Sequence, residues 1–220
     1  MQFLHEKKGF TLIEVIVVIA VVAILAAILT PTIAKQIQDS RISRAKNETL
    51  VIGAAISDLR KDTGWWPYTN ANGPSGGVDR VLGDPSTVPT GAASGAGAGA
   101  ANWGSYGSTK RLSDYLYYNN PDDNTGSSGQ NETGQDYPTT GDFKWNGPYI
   151  KKILLNDPWG RSYVINARYF PGNTRGGTNR HHVYVLSAGP DHLWSTPYSD
   201  ATPSEEIMGD DIGYRICVRK

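Results

Sequence analysis

The side chains best suited to chemistry are acidic and lie near the C-terminus. Asp191, Asp200, Glu205, Glu206, Asp210 and Asp211 crowd one stretch between two apolar segments. Carboxylates on a flexible loop are hard oxygen donors, and calcium takes about six to eight such oxygens together with backbone carbonyls and water. The same spacing also describes a solvated acidic loop, and spacing alone favours that plainer reading. A second unusual carboxylate is Glu14, the only charge between Phe10 and Thr30. In hydrocarbon it would cost roughly 2.5–3.5 kcal/mol. Either it snorkels towards the interface near Lys7, or it pairs with a cation inside a helix bundle. No Lys or Arg lies between Gly9 and Lys35. The remaining cation is an α-amine made by cutting before Phe10, supplied by a neighbouring copy.

Other chemistry is weakly signalled. On a strand His181 and His182 face opposite ways, so both rings cannot hold one metal. No nucleophile elbow accompanies the Ser, His and Asp residues. The Gly-rich stretches lack the Lys-Ser/Thr ending of a phosphate cradle. The single cysteine, Cys217, excludes an intramolecular disulfide and a Cys cluster. With 21 basic and 21 acidic residues, the chain has no basic excess for general nucleic-acid binding.

These groups need elements to position them. Residues 1–9 are short and basic, and 10–30 read FTLIEVIVVIAVVAILAAILT. At its helical rise that run spans roughly 30 Å, the thickness of a bilayer core. Lys7 and Lys8 place the N-terminus in the cytoplasm and the bulk of the chain outside it. The run is longer than a signal-peptide core, and Thr32-Ile33-Ala34 is a poor cleavage site. Beyond Pro31, the positions Ile33, Ile37, Ile42, Ala45, Ile52, Ala55, Ile56 and Leu59 follow helical spacing. One helix over 10–62 is expected, loosened at Pro31 and capped by Gly64. At 1.5 Å per residue it would be about 80 Å long.

The N-terminal motif Lys7-Lys8-Gly9-Phe10-Thr11-Leu12-Ile13-Glu14-Val15 resembles the prepilin peptidase site of type IV pilins and type II secretion pseudopilins. The resemblance implies cleavage after Gly9, methylation of the Phe10 amine, an initiating role for Glu14 in assembly, and a helix kink at Pro31. Asp62-Thr63-Gly64…Pro67, Trp145…Gly147-Pro148-Tyr149, Asp157-Pro158-Trp159-Gly160, Ser187-Ala188-Gly189-Pro190-Asp191 and Asp211-Ile212-Gly213 look specifically like the major pseudopilin. That likeness covers 7–68 and 145–215. It implies a calcium site carried by Asp191 and Asp211, then Asp210, with a carbonyl near Ala188. Pro190 and the long span from Asp191 to Asp211 depart from the family pattern.

In the globular part, 63–220, strands are expected at Tyr163–Tyr169, His182–Ser187 and Gly213–Val218, and the resemblance implies a calcium loop over 186–213. Residues 69–144 fall outside the resemblance. They include GAASGAGAGAA at 91–101 and an Asn/Asp/Gly/Ser/Thr-rich run at 119–142. By composition they form a flexible surface insertion, with a turn or two of helix expected at Arg111–Tyr118. Asn47-Glu48-Thr49 and Asn131-Glu132-Thr133 match glycosylation sequons, a short motif with a high false-positive rate. Trp65, Trp66, Tyr115, Tyr117 and Tyr118 are core or loop anchors, or line a binding surface.

The expected fold class is α+β: a long N-terminal helix, membrane anchor over 10–31 and amphipathic over 32–62, packed on a small antiparallel sheet. The resemblance implies a non-enzymatic subunit that waits in the bacterial inner membrane, loses its leader and assembles into a helical homopolymer in the periplasm. Implied partners are further copies, minor pseudopilins, prepilin peptidase, an inner-membrane assembly platform and lipid, with no nucleic acid. The implied role is a type II secretion pseudopilus. A type IV pilus for adhesion, motility or DNA uptake is the alternative. A membrane-anchored periplasmic enzyme is a third reading, for which no residue cluster speaks.

Overall fold

The structure is a computed structural model. It describes residues 9–70, 73–74, 78–96, 99–121, 136–151, 156–177, 181–198 and 206–218. The Asn131 sequon, Asp200, Glu205 and residues 1–8 of the leader lie outside these. The chain divides into two compact units, Met1–Arg41 and Ile42–Lys220.

The first unit is helical. Helix α1, Leu12–Thr63, begins in it and continues into the second unit. Val and Ile are indifferent helix formers in water, but in lipid every backbone amide needs an internal partner, which a helix provides. The span has a mean hydropathy of 3.3 in its most apolar window, none of which is buried. Its start carries a reciprocal cap missed in the sequence reading. Thr11 N and Oγ1 donate to Glu14 Oε2 at 2.9 and 2.8 Å, and Glu14 N donates to Thr11 Oγ1 at 3.4 Å. This is a capping box. The helix is continuous through Pro31, and Thr30 Oγ1 donates to Ala26 O at 2.7 Å.

In the second unit, Ala45, Thr49, Ile52, Ile56, Leu59 and Thr63 recur every three or four residues and are buried. That stripe is the amphipathic face expected from the sequence. Ile33 and Ile37, assigned to the same stripe, are exposed. Gly53 is required by close approach, because a Cβ there would lie 2.3 Å from the Tyr214 ring. The helix ends where expected. Gly64 takes φ +79°, and its N–H donates to Arg60 O at 3.0 Å.

The sheet that receives α1 has five strands in the order β4-β3-β5-β6-β7. In chain order the strands are β1 Thr69–Asn70, β2 Gly73–Pro74, β3 Arg80–Leu82, β4 Thr109–Arg111, β5 Val164–Ile165, β6 His182–Ser187 and β7 Ile212–Val218. β1 and β2 pair separately. The β3–β4 pair is parallel and the rest are antiparallel, so the sheet is mixed rather than wholly antiparallel. β5 is shorter than the expected strand, because Ala167–Tyr169 turns into a 3-10 coil.

Residues 69–144 are not a surface insertion where they are described. They supply two of the five sheet strands, and Val81, Leu82, Trp103, Leu112, Tyr115 and Leu116 join the core. Asp79 fixes them. Its carboxylate, with no side-chain exposure, accepts from Arg168 at 2.7 Å and Arg175 at 2.6 Å, and from Ser108 N at 2.9 Å. Burial raises its pKa, but the Arg168 and Ser108 bonds and the Arg175 charge lower it further, leaving it below the ordinary value. The single turn α2, Asn102–Ser105, carries the fully buried Trp103. Residues Asp114–Tyr118 form one wide helical turn.

Candidate functional site

Two regions carry the sequence-predicted groups, and each is described within its own unit. At the start of α1, Gly9 and Phe10 are exposed just outside the helix, and Phe10 is 86% exposed. Glu14 is held by Thr11 within the same chain, so the carboxylate is oriented by its own helix start. Pro31 lies within the helix on the same apolar segment.

The second region is built where the turns at 157–161, 187–196 and 210–211 are hydrogen-bonded to one another, with Asp62 and Tyr149 paired separately at the helix end. Asp157 Oδ1 accepts from Trp159 N at 3.0 Å and Arg161 N at 2.9 Å, closing the Asp-Pro-Trp-Gly turn. Asp157 Oδ2 accepts from Ser187 Oγ at 2.5 Å, and Ser187 Oγ accepts from Gly189 N at 3.1 Å. Arg161 Nε donates to His192 Nδ1 at 3.2 Å. The turn at 157–161 therefore grips the Ser187–His192 turn twice. At the helix end, Tyr149 OH donates to Asp62 Oδ2 at 3.2 Å and accepts from Asn146 N at 3.0 Å. Burial first, then the Asp62 and Asp58 charges, push the Tyr149 phenol up to about 12, so it stays a donor. Tyr163 OH donates to Glu48 Oε2 at 2.6 Å, tying the sheet to α1.

The predicted cation ligands come together around the same turn. Asp191 N donates to Asp210 Oδ2 at 3.2 Å. Gly189 takes φ +67°, and a Cβ there would meet Asp210 O at 2.2 Å. Ala188 is fully buried beside it. Asp191 Oδ1 accepts from Leu193 N at 2.7 Å. Asp211 is 7% exposed, and its Oδ2 accepts from Ser195 N at 3.0 Å and Thr196 N at 2.7 Å. Its other oxygen, Oδ1, is buried with no hydrogen-bond partner among the described residues. Burial, and less so the Asp210 charge, raise Asp211 to about 6. Burial and Asp191 likewise raise Asp210.

An orphaned buried carboxylate oxygen that feels the charge of Asp210 is an environment a hard cation satisfies. Among the described residues no group of three or more His, Cys, Asp and Glu side chains is arranged to hold a metal by itself. Backbone carbonyls would have to complete such a site, as calcium allows.

The remaining candidates are placed in packing roles. The His181 ring packs at a tilt on Tyr169 with centroids 4.0 Å apart, and His182 Nδ1 meets Tyr184 OH at 3.2 Å. Cys217 lies in β7 opposite Val183, and burial pushes its thiol up to about 12. A thiol so raised is a poor nucleophile. Tyr115 is fully buried in the core, Trp66 stacks on Phe170 at 4.8 Å, and Tyr117 meets Tyr118 edge-on. Asn47 is exposed on α1.

Comparison with known proteins fits this geometry. Residues 4–30 match the model of the prokaryotic N-terminal methylation motif, and residues 129–201 match that of the type II secretion system protein G. At both ends the chain is similar to type IV pilin-like proteins. It is 28% identical over 108 residues to the type II secretion system core protein G of Pseudomonas aeruginosa, covering 49% of this chain and 66% of that one. It is 25% identical over 112 residues to the corresponding protein of Escherichia coli, covering 51% and 68%. It is 43% identical over 65 residues to the fimbrial protein EcpC of Eikenella corrodens, covering 30% and 42%. The chain thus spans between two fifths and two thirds of the lengths of these relatives. No solved structure matches it at significance. The protein G match begins at residue 129, inside the stretch set aside as insertion, and reaches the loop bearing Asp191.

Proposed function

We propose that this pilin-like chain is a structural, non-enzymatic subunit of a type II secretion pseudopilus. The observation that carries the reading is the joining of two of the protein G-like turns, Asp157 to Ser187 and Arg161 to His192. In this reading the subunit waits in the inner membrane with its N-terminus cytoplasmic. Prepilin peptidase cuts after Gly9, and the new Phe10 amine is methylated. Subunits leave the bilayer when the loss of lipid contact is offset by helix-on-helix burial along the apolar exposed span. Glu14 of each copy then meets the Phe10 amine of a neighbour, an ion pair that is worth most where water is excluded. An assembly platform in the inner membrane and minor pseudopilins complete the machine. The filament stands in the periplasm and helps move folded proteins across the outer membrane.

Calcium fits the C-terminal turn on the chemistry of its donors: Asp211 through its orphaned Oδ1, Asp210, Asp191 and a carbonyl near Ala188. Bound there, the ion would neutralise carboxylates that burial disfavours and close the long loop that no disulfide can close.

The test is the extracellular protein profile of the native host with and without this gene. Secreted enzymes held in the periplasm of the deletion strain, and released on complementation, support the secretion reading. An unchanged profile with lost attachment, motility or DNA uptake overturns it in favour of a surface pilus.

A further inference from the structure

The backbone that grips Asp211 is itself gripped by Pro89, Gly91, Ala93 and Trp103, which the family likeness does not cover. Trp194 N donates to Gly91 O at 3.1 Å, and Ala93 N donates to Trp194 O at 2.9 Å, so the two segments pair as a parallel bridge. The indole of Trp194 is fully buried and donates to Pro89 O at 2.7 Å. Trp103, also fully buried, stacks on Trp194 with centroids 5.7 Å apart and donates through Nε1 to Thr196 O at 2.9 Å. Gly104 lets this contact form, since a Cβ there would lie 2.0 Å from Pro89 O.

One peptide unit links this brace to the carboxylate. The carbonyl of Trp194 and the amide of Ser195 belong to the same peptide group. Ala93 N–H donates to its oxygen, and its N–H donates to Asp211 Oδ2 at 3.0 Å. Hydrogen bonds in such a chain polarise one another, so the bond from Ala93 strengthens the donor facing Asp211. Trp103 fixes the next residue, Thr196, whose amide makes the shorter bond of 2.7 Å to the same oxygen. With Oδ2 committed to two amides, Oδ1 is left as the unpartnered oxygen.

We propose that Trp103 and the Pro89–Ala93 segment are positioning residues for a divalent cation at Asp211, acting through the Trp194–Thr196 backbone. The inference rests on the calcium reading above. Outer groups of this kind orient a ligand without touching the ion, and their loss costs about 10–100-fold in metal affinity.

The experiment is a calcium titration by calorimetry of the full chain in detergent micelles, paired with thermal melts in chelator. Trp103→Phe removes one hydrogen bond and keeps the ring. Ala93→Pro removes the amide that faces Trp194 O. Leu112→Ala, in the core but outside the brace, reports general destabilisation. The expected result is a calcium Kd weakened about tenfold or more in the first two variants. Leu112→Ala should lower the melt in chelator and leave Kd unchanged. Unchanged Kd in both brace variants, with binding intact in the wild type, overturns this inference alone. A wild-type chain that takes up no calcium overturns the calcium reading and this inference with it. Should Ala93→Pro fail to fold, Trp103→Phe decides.

Discussion

Ser187 Oγ donates to Asp157 Oδ2 at 2.5 Å, joining a turn before β5 to the turn that leaves β6. Both oxygens of Asp157 are thereby used, and the residue is only 5% exposed. Asp157→Ala would strand the Ser187 hydroxyl and the Trp159 and Arg161 amides. An unsatisfied buried polar group costs about 1–3 kcal/mol. The expected loss is about 2–4 kcal/mol in denaturant unfolding of the full chain in micelles, with Asp157→Asn between it and wild type.

Asp79 should be the costliest charge to remove. Its carboxylate serves Arg168, Arg175 and Ser108 at once. Asp79→Ala leaves Arg168, whose side chain is 25% exposed, without its partner, which predicts a loss of about 3 kcal/mol. Arg175, 43% exposed, is screened by water and contributes the smaller part. Because Asp79 joins the 69–144 stretch to the 167–175 turns, protease sensitivity between residues 79 and 111 should rise in step. Unchanged stability would show that the cluster is replaceable by solvent.

Stability should depend on pH and calcium together. Asp211 is raised from an ordinary 3.8 to about 6, first by burial. Between those values the folded chain holds a proton that the unfolded chain has released, so stability falls as pH rises. The penalty approaches roughly 3 kcal/mol above pH 6. Asp79, held low, acts with the opposite sign and is lost on acidification below its own pKa. In chelator the melting temperature should therefore drop between pH 4 and pH 6, and Asp211→Asn should flatten that drop. Adding calcium at pH 7 should raise the wild-type melt by several degrees and leave Asp211→Asn unmoved. A wild-type melt unaffected by excess chelator at pH 7 would remove the cation from the account.

How much of this was legible in the sequence differs by element. Helix α1 announced itself through composition and spacing, and Gly64 marked its end. β6 and β7 were legible because β-branched and aromatic residues cluster in them, Val183-Tyr184-Val185 in one and Tyr214, Ile216 and Val218 in the other. Residues 69–144 misled, because part of their contribution is made by the backbone and their core side chains are scattered along a polar, Gly-rich stretch. Ala92 and Ala93 pair with Trp194 through amide and carbonyl groups that every residue possesses. β3 and β4 have three residues each, too few to show alternation. The partners of Asp79 lie 89 and 96 positions along the chain, beyond any local pattern. Thr11-x-x-Glu14 has the spacing of a capping box, a signal masked by the more unusual feature of a charge in an apolar run. At the acidic turn, the resemblance singled out Asp211, but neither its orphaned Oδ1 nor the amides on Oδ2 could be read from spacing.

Glu14 tests the central claim of helix-driven assembly most directly. In Glu14→Ala the capping box is lost at a cost of about 1 kcal/mol, which the long apolar span easily tolerates. The measurement is the yield of sheared or cross-linked filaments from cells carrying the assembly machinery, with membrane insertion and cleavage after Gly9 followed by mass spectrometry. The account predicts that Glu14→Ala is inserted and cleaved like the wild type yet gives no filaments. Filaments of normal yield from Glu14→Ala would contradict it.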